Sequence, residues 1–119
     1  MKGRPVALLL GLVLAASAAQ QWWQGASERR GLERLASLAQ PGDIRMLSSE
    51  TCSYCEVARR TMTTHGVRFD ECFIERDGDC RALYEATQAR GTPTLLVRGQ
   101  PQVGFYVPRL VEALEARRG

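Results

Sequence analysis

A chain of 119 residues has room for one small domain, and a hydrophobic content of 45% excludes a disordered polymer. The formal charge is +3, part of it supplied by Lys2 and Arg4 at the start, so the basic face of a general nucleic-acid binder is not expected. Four cysteines are too few for a disulfide-scaffold miniprotein and too many to ignore.

Residues 1–23 read as a signal peptide or an N-terminal membrane anchor. A basic head, Met1-Lys2-Gly3-Arg4, precedes an apolar run from Val6 to Leu14 and the small residues Ala15 to Ala19. Ala16 with Ala18, or Ser17 with Ala19, meets the small-residue spacing that leader cleavage requires. The competing reading is an uncleaved anchor. Val6 to Trp23 approaches the length that crosses a bilayer, and Trp22 and Trp23 would lie at the interface. Arg29, Arg30 and Arg34 balance Lys2 and Arg4, so the basic-residue bias does not choose between the two. Either way the folded part is expected outside the cytoplasm: periplasmic or otherwise extracytoplasmic, secreted or held on the inner membrane. Residues 24–43 read as a linker in which Leu32, Leu35 and Leu38 suggest a short helix, stopped by Gln40-Pro41-Gly42-Asp43.

From residue 44 to 119 the pattern alternates. Ile44 to Ser48 reads as a strand. Cys55, Ala58, Met62 and His65 share one helical face, closed by Gly66. Val67 to Ile74 has strand composition. Asp77-Gly78-Asp79 turns the chain, Asp79 is expected to cap a helix whose face is Cys80, Leu83, Tyr84 and Thr87, and Gly91 is expected to end it. Thr94 to Val97 suits a buried strand, and Gly99 to Pro101 a turn into a strand at Gln102 to Phe105. Pro108 then opens a helix with the stripe Val107, Leu110, Val111 and Leu114, and with Arg117 and Arg118 at its negative end. A four-stranded mixed sheet covered by about three helices, an α/β domain, follows from this order.

Thr51-Cys52-Ser53-Tyr54-Cys55 lies where a strand feeds a helix. Unpaired N–H groups and the helix dipole stabilise a thiolate there, and thiolate is the nucleophile of disulfide exchange. Cys55, one turn later on the Met62 face, is expected to be the more buried. Cys52 is therefore the expected attacking sulfur and Cys55 the resolving one. A structural bridge would use the same spacing, and so would half a zinc site, which needs a second pair nearby.

Cys52-Ser53-Tyr54-Cys55 closely resembles a glutaredoxin active site, and the likeness extends through Gly66 to Phe69, the helix after Asp79, and Arg90-Gly91-Thr92-Pro93-Thr94. It covers about residues 44–115 and implies a thioredoxin-like, glutaredoxin-type three-layer fold. It further implies a cis bond between Thr92 and Pro93, facing the redox pair and pairing with an incoming substrate. Tyr54, Thr92 and Pro93 are then the substrate-binding candidates. Ser49 and Glu50 stand where the family usually carries a basic residue, and Val103 to Pro108 lacks the family's second Gly and acid. In these respects the chain looks more like exported bacterial glutaredoxin-like proteins.

The expected activity is thiol–disulfide oxidoreduction through Cys52 and Cys55, with no metal and no cofactor beyond the pair, and with glutathione left open as a co-substrate. The partners are protein or low-molecular-weight thiols and disulfides and a recycling redox partner. No nucleic acid is expected, membrane contact comes only through the N-terminal segment if it is uncleaved, and a monomer suffices. Two alternatives stand beside this. Glutaredoxins with a Ser-Tyr spacer can, by resemblance, hold an iron–sulfur cluster between two chains with Cys52 and glutathione thiols. A third reading is an inactive fold kept for protein interaction. Cys72 and Cys80 invite a structural disulfide, the bland alternative being two small buried hydrophobes. His65 is too far along its helix to act as a base for Cys52. Arg59 and Arg60 read as a solvated surface.

Overall fold

The computed structural model describes residues 3–116; Lys2, Arg117 and Arg118 lie outside the described residues. The chain divides into two compact units, Met1–Arg30 and Gly31–Gly119. The first is helical. It belongs to α1 (Arg4–Leu38), which contains an 18-residue window of mean hydropathy 1.5 with none of it buried. Its leucines and valines from Val6 to Leu14, and Trp22 and Trp23, are exposed. By length and composition this helix can cross a membrane.

In the second unit the last turns of α1 correct the expectation of a linker. Leu32, Leu35 and Leu38 are buried and Leu35, Leu38 and Ala39 join the main core. The short amphipathic stripe is there because it has a sheet to cover. Arg34 adds an ion pair to Glu115 at 3.0 Å. After the turn at Gly42 (φ +88), the chain enters β1 (Ile44–Ser48), α2 (Ser53–Thr64), β2 (Asp70–Phe73), α3 (Gly78–Ala86), β3 (Thr94–Val97), β4 (Gln100–Val103) and α4 (Val107–Ala116).

The sheet runs β2-β1-β3-β4. β1 pairs parallel with β2 (Leu47 opposite Cys72) and antiparallel with β3 (Leu47 opposite Thr94), while β3 and β4 form a hairpin with Leu96 opposite Pro101. Alternation along β1 sends Met46 and Leu47 to opposite faces. Met46 packs with Leu35, Leu38, Ala58, Met62, Leu110 and Leu114, from α1, α2 and α4. Leu47 packs with Cys72, Cys80 and Leu96, covered by Leu83 and Tyr84 of α3. The result is a three-layer α/β fold of the thioredoxin-like kind, with one helix on one face and three on the other.

Several boundaries differ from expectation for local reasons. Gly66 (φ +70) ends α2 through the left-handed region, and Val67 drops into the core as a loop residue, so β2 begins only at Asp70. Asp77, not Asp79, caps α3: its carboxylate accepts from the Asp79 and Cys80 amides. That helix ends at Ala86, ahead of Gly91, with Gln88 at φ +58. The β3–β4 turn is Arg98-Gly99, both at positive φ, which moves β4 two residues earlier than Gln102 to Phe105. Pro108 is the second residue of α4, not its first.

Candidate active site

The register gathers one end of the sheet. Leu47 lies opposite Thr94, Ser48 opposite Phe73, and Thr94 opposite Val103. The segment leading to Cys52, the loop after β2, the Thr92–Pro93 turn and the loop from Gly104 into α4 therefore leave the sheet at the same end. Thr92–Pro93 is cis, Pro93 is buried, and the Pro93 carbonyl accepts from the Gly104 amide at 2.7 Å.

Cys52 is the N-cap of α2, in extended geometry, and its Sγ accepts from the Cys55 amide at 3.1 Å. Cys52 is half-buried and Cys55 is 0% exposed. The two sulfurs are joined as a disulfide, with Cα atoms 5.3 Å apart. When the bond is reduced, the same amide and the free N–H groups of the first helical turn face whatever charge Cys52 Sγ carries. Tyr54, between the cysteines, is 75% exposed.

The approach to Cys52 is tied down. The Cys52 amide donates to the Ser49 carbonyl at 3.3 Å, closing a turn. Ser49 Oγ donates to Glu75, the Glu50 amide donates to the second oxygen of Glu75 at 3.1 Å, and Arg76 Nε donates to Glu50. Arg76 also lies over the Phe73 ring, 4.4 Å from its centroid. The Ser49 hydrogen bond holds the Glu75 carboxyl below the ordinary value. Glu75 and Arg76 did not stand out in the sequence: a Glu-Arg pair after a strand has no spacing signature, and only the fold brings it to the turn before Cys52.

Behind this turn lies a second network. Arg59 donates to both oxygens of Glu71, at 2.6 and 2.7 Å, and the buried Ser48 Oγ donates to Glu71 at 2.6 Å. Arg59 is thus not merely a solvated residue; it bridges α2 to β2, while Arg60 is exposed. Burial pushes the Glu71 carboxyl up, but the hydrogen bonds from Arg59 and Ser48 and the attraction of Arg59 and Arg76 outweigh it and hold the pKa below the ordinary value. A depressed carboxylate stabilises the fold above its unfolded pKa, and that contribution is lost as pH falls through the folded one. Denaturant titrations from pH 7 to pH 2 should therefore show wild-type stability declining below about pH 4.5. Glu71→Gln should start about 1–2 kcal/mol lower at neutral pH and decline less steeply.

His65 is the C-cap of α2, its Nδ1 is 2.9 Å from the Thr61 carbonyl oxygen, and it is exposed. Cys72 and Cys80 form a second disulfide, linking β2 to the first turn of α3, with Cα atoms 6.0 Å apart. Among the described residues no three His, Cys, Asp or Glu side chains cluster as a metal site.

A mixed four-stranded sheet with a cysteine pair opening a helix and a cis-proline turn at the same sheet end defines a thioredoxin-like protein. Solved structures agree. A thioredoxin-like protein aligns with 59% of this chain and 97% of its own length (TM-score 0.52, 21% identity). The glutaredoxin of Methanosarcina mazei Go1 aligns with 61% of this chain and 78% of its own (TM-score 0.50, 25% identity). The buckwheat glutaredoxin–glutathione complex aligns over 73% and 89% (TM-score 0.50, 20% identity). No curated protein matches the sequence significantly. The glutaredoxin family model matches residues 44–102, and through them the chain belongs to the glutaredoxin family.

Proposed function

We propose that the protein is a thiol–disulfide oxidoreductase acting outside the cytoplasm, with Cys52 as the attacking sulfur and Cys55 as the resolving one. The observation that carries this is the position of Cys52: it caps α2, receives the Cys55 amide, and is the more accessible of the two sulfurs. In the reducing direction, the Cys52 thiolate attacks one sulfur of a substrate disulfide and expels the other as thiolate, forming a mixed disulfide. Cys55 then loses its proton and attacks Cys52 Sγ. The Cys52–Cys55 bond forms, the second substrate sulfur leaves as thiolate, and two electrons have passed to the substrate. The reverse sequence oxidises a dithiol.

The exchange needs only the two sulfurs and a thiol or disulfide that recycles them, and one chain carries both. In this reading Tyr54, Thr92 and Pro93 meet the substrate, a role supported by the exposure of Tyr54 and by the cis Thr92–Pro93 turn at the same end of the sheet. Glu50 is paired with Arg76 and Glu75 accepts from Ser49 and the Glu50 amide, so among the described residues the turn before Cys52 offers no free cation to a glutathione carboxylate, which favours polypeptide disulfides as substrates. The second disulfide and the membrane-length helix support an oxidising, extracytoplasmic compartment. The test is trapping: Cys55→Ser incubated with insulin should accumulate a mixed disulfide on Cys52, visible on a non-reducing gel and by mass, and released by dithiothreitol. A variant that captures nothing would overturn the assignment.

A further inference from the structure

Resting on that exchange reading, we propose that the loop between Cys72 and Cys80 is the platform that holds the reactive sulfur in place, with Glu75 and Arg76 as its positioning residues, so that closure of the Cys72–Cys80 disulfide governs how Cys52 reacts.

The two disulfides share no atoms and stand in different layers, yet one short path of bonds joins them. Cys80 is 0% and Cys72 8% exposed, packed with Leu47 and Leu96, so this bridge is a fixed point of the core. It closes a loop of sequence separation 8 that carries Phe73, Ile74, Glu75, Arg76 and Asp77. The loop is held at its start by the Ile74 amide donating to the Ser48 carbonyl at 2.9 Å and at its end by Asp77, the cap of α3. Its middle faces the turn before the active pair. Both oxygens of Glu75 are used there, one by Ser49 Oγ and one by the Glu50 amide, and Arg76 holds the Glu50 side chain. The residue that closes this turn, through its own amide, is Cys52.

These hydrogen bonds lie at the surface and contribute little to global stability. Their effect is geometric: they set where α2 begins, and so whether Cys52 Sγ sits on the helix amides. Removing Glu75 frees the turn directly. Opening the second disulfide widens the ensemble of the whole loop, and the same anchors are then made only part of the time. Charge alone predicts the opposite sign, because deleting a nearby carboxylate favours the thiolate.

That opposition makes the test decisive. In full-length Cys55→Ser protein in detergent, Cys52 is a free thiol while Cys72–Cys80 stays oxidised, and the pH dependence of iodoacetamide alkylation reads the Cys52 pKa. Glu75→Ala should raise it by about one unit, about tenfold less thiolate below the pKa. Glu75→Gln, which keeps an acceptor oxygen, should recover most of the loss. Cys72→Ala/Cys80→Ala should raise it comparably, and adding Glu75→Ala should raise it little further, since both act through one loop.

A pKa unmoved by Glu75→Ala, or lowered by both Glu75 variants, overturns the proposal. So does full additivity with the second disulfide. If the double cysteine variant does not fold, the two Glu75 variants alone decide. Insulin reduction by Cys52→Ser separates the two levels: retained activity overturns the exchange reading and this one with it, whereas lost activity with an unmoved pKa overturns only the platform.

Discussion

A chain cut to residues 44–119 is expected to lose cooperative folding, whereas residues 31–119 keep it. The shorter chain contains every strand and the whole family match, and is the piece that the sequence pattern marks out as the domain. It lacks Leu32, Leu35, Leu38 and Ala39, all buried, the last three among Met46, Met62, Leu110 and Leu114. Burying one leucine contributes roughly 1.5–3 kcal/mol, so three contribute about 6 kcal/mol, against a total of about 5–15 kcal/mol for a typical domain. The cut also removes the Arg34–Glu115 ion pair and opens to water the part of the apolar core that the end of α1 covers, with α2 and α4 left on the rest of that face. Urea unfolding followed by circular dichroism on both chains is the measurement. A sigmoidal transition for residues 44–119, at a midpoint near that of residues 31–119, would show that the helical segment is dispensable.

Cys52→Ser should lower the rate of insulin reduction by about a thousandfold or more while leaving the fold in place. Serine is itself a good helix cap, so its hydroxyl can take over the hydrogen bond from the Cys55 amide. What it cannot supply is an anionic sulfur nucleophile near neutral pH. The fold control is the stability of the variant measured against reduced wild type, which should agree within about 1 kcal/mol. Residual activity above about a tenth of wild type would remove Cys52 from the role of nucleophile.

What could be read beforehand follows from how much each segment depends on its neighbours. β3 appears where its apolar run places it, at Thr94–Val97, because a central strand buried on both faces carries a continuous hydrophobic signal, and β1 appears at Ile44–Ser48, where every position but Arg45 is buried. The cysteine pair at the start of α2 was equally legible, since both the helix face of Cys55, Ala58 and Met62 and its glycine stop are local. The edge strands were not. β4 slid because Arg98 adopts a left-handed conformation at the turn, which arginine does not advertise. β2 shortened because Val67 is taken by the core as part of a loop. The end of α1 looked like a tether because its three leucines are spaced for a helix but separated by Glu33, Arg34 and Ser37. Only the sheet they cover shows that the stripe is a core element. The electrostatic half of the site was the least legible, since Glu71, Glu75 and Arg76 meet Arg59, Ser49 and Glu50 across separations set by the parallel pairing of β1 and β2.

The hairpin has a bearing on life at high local concentration. β4 forms one border of the sheet, and Pro101 lies within it, opposite Leu96. A neighbouring polypeptide trying to extend the sheet on this side meets a pyrrolidine ring in place of an amide hydrogen. On the exchange reading proposed above, such a border discourages loosely folded polypeptides from annealing onto the sheet by backbone pairing and leaves the sulfurs as the point of engagement.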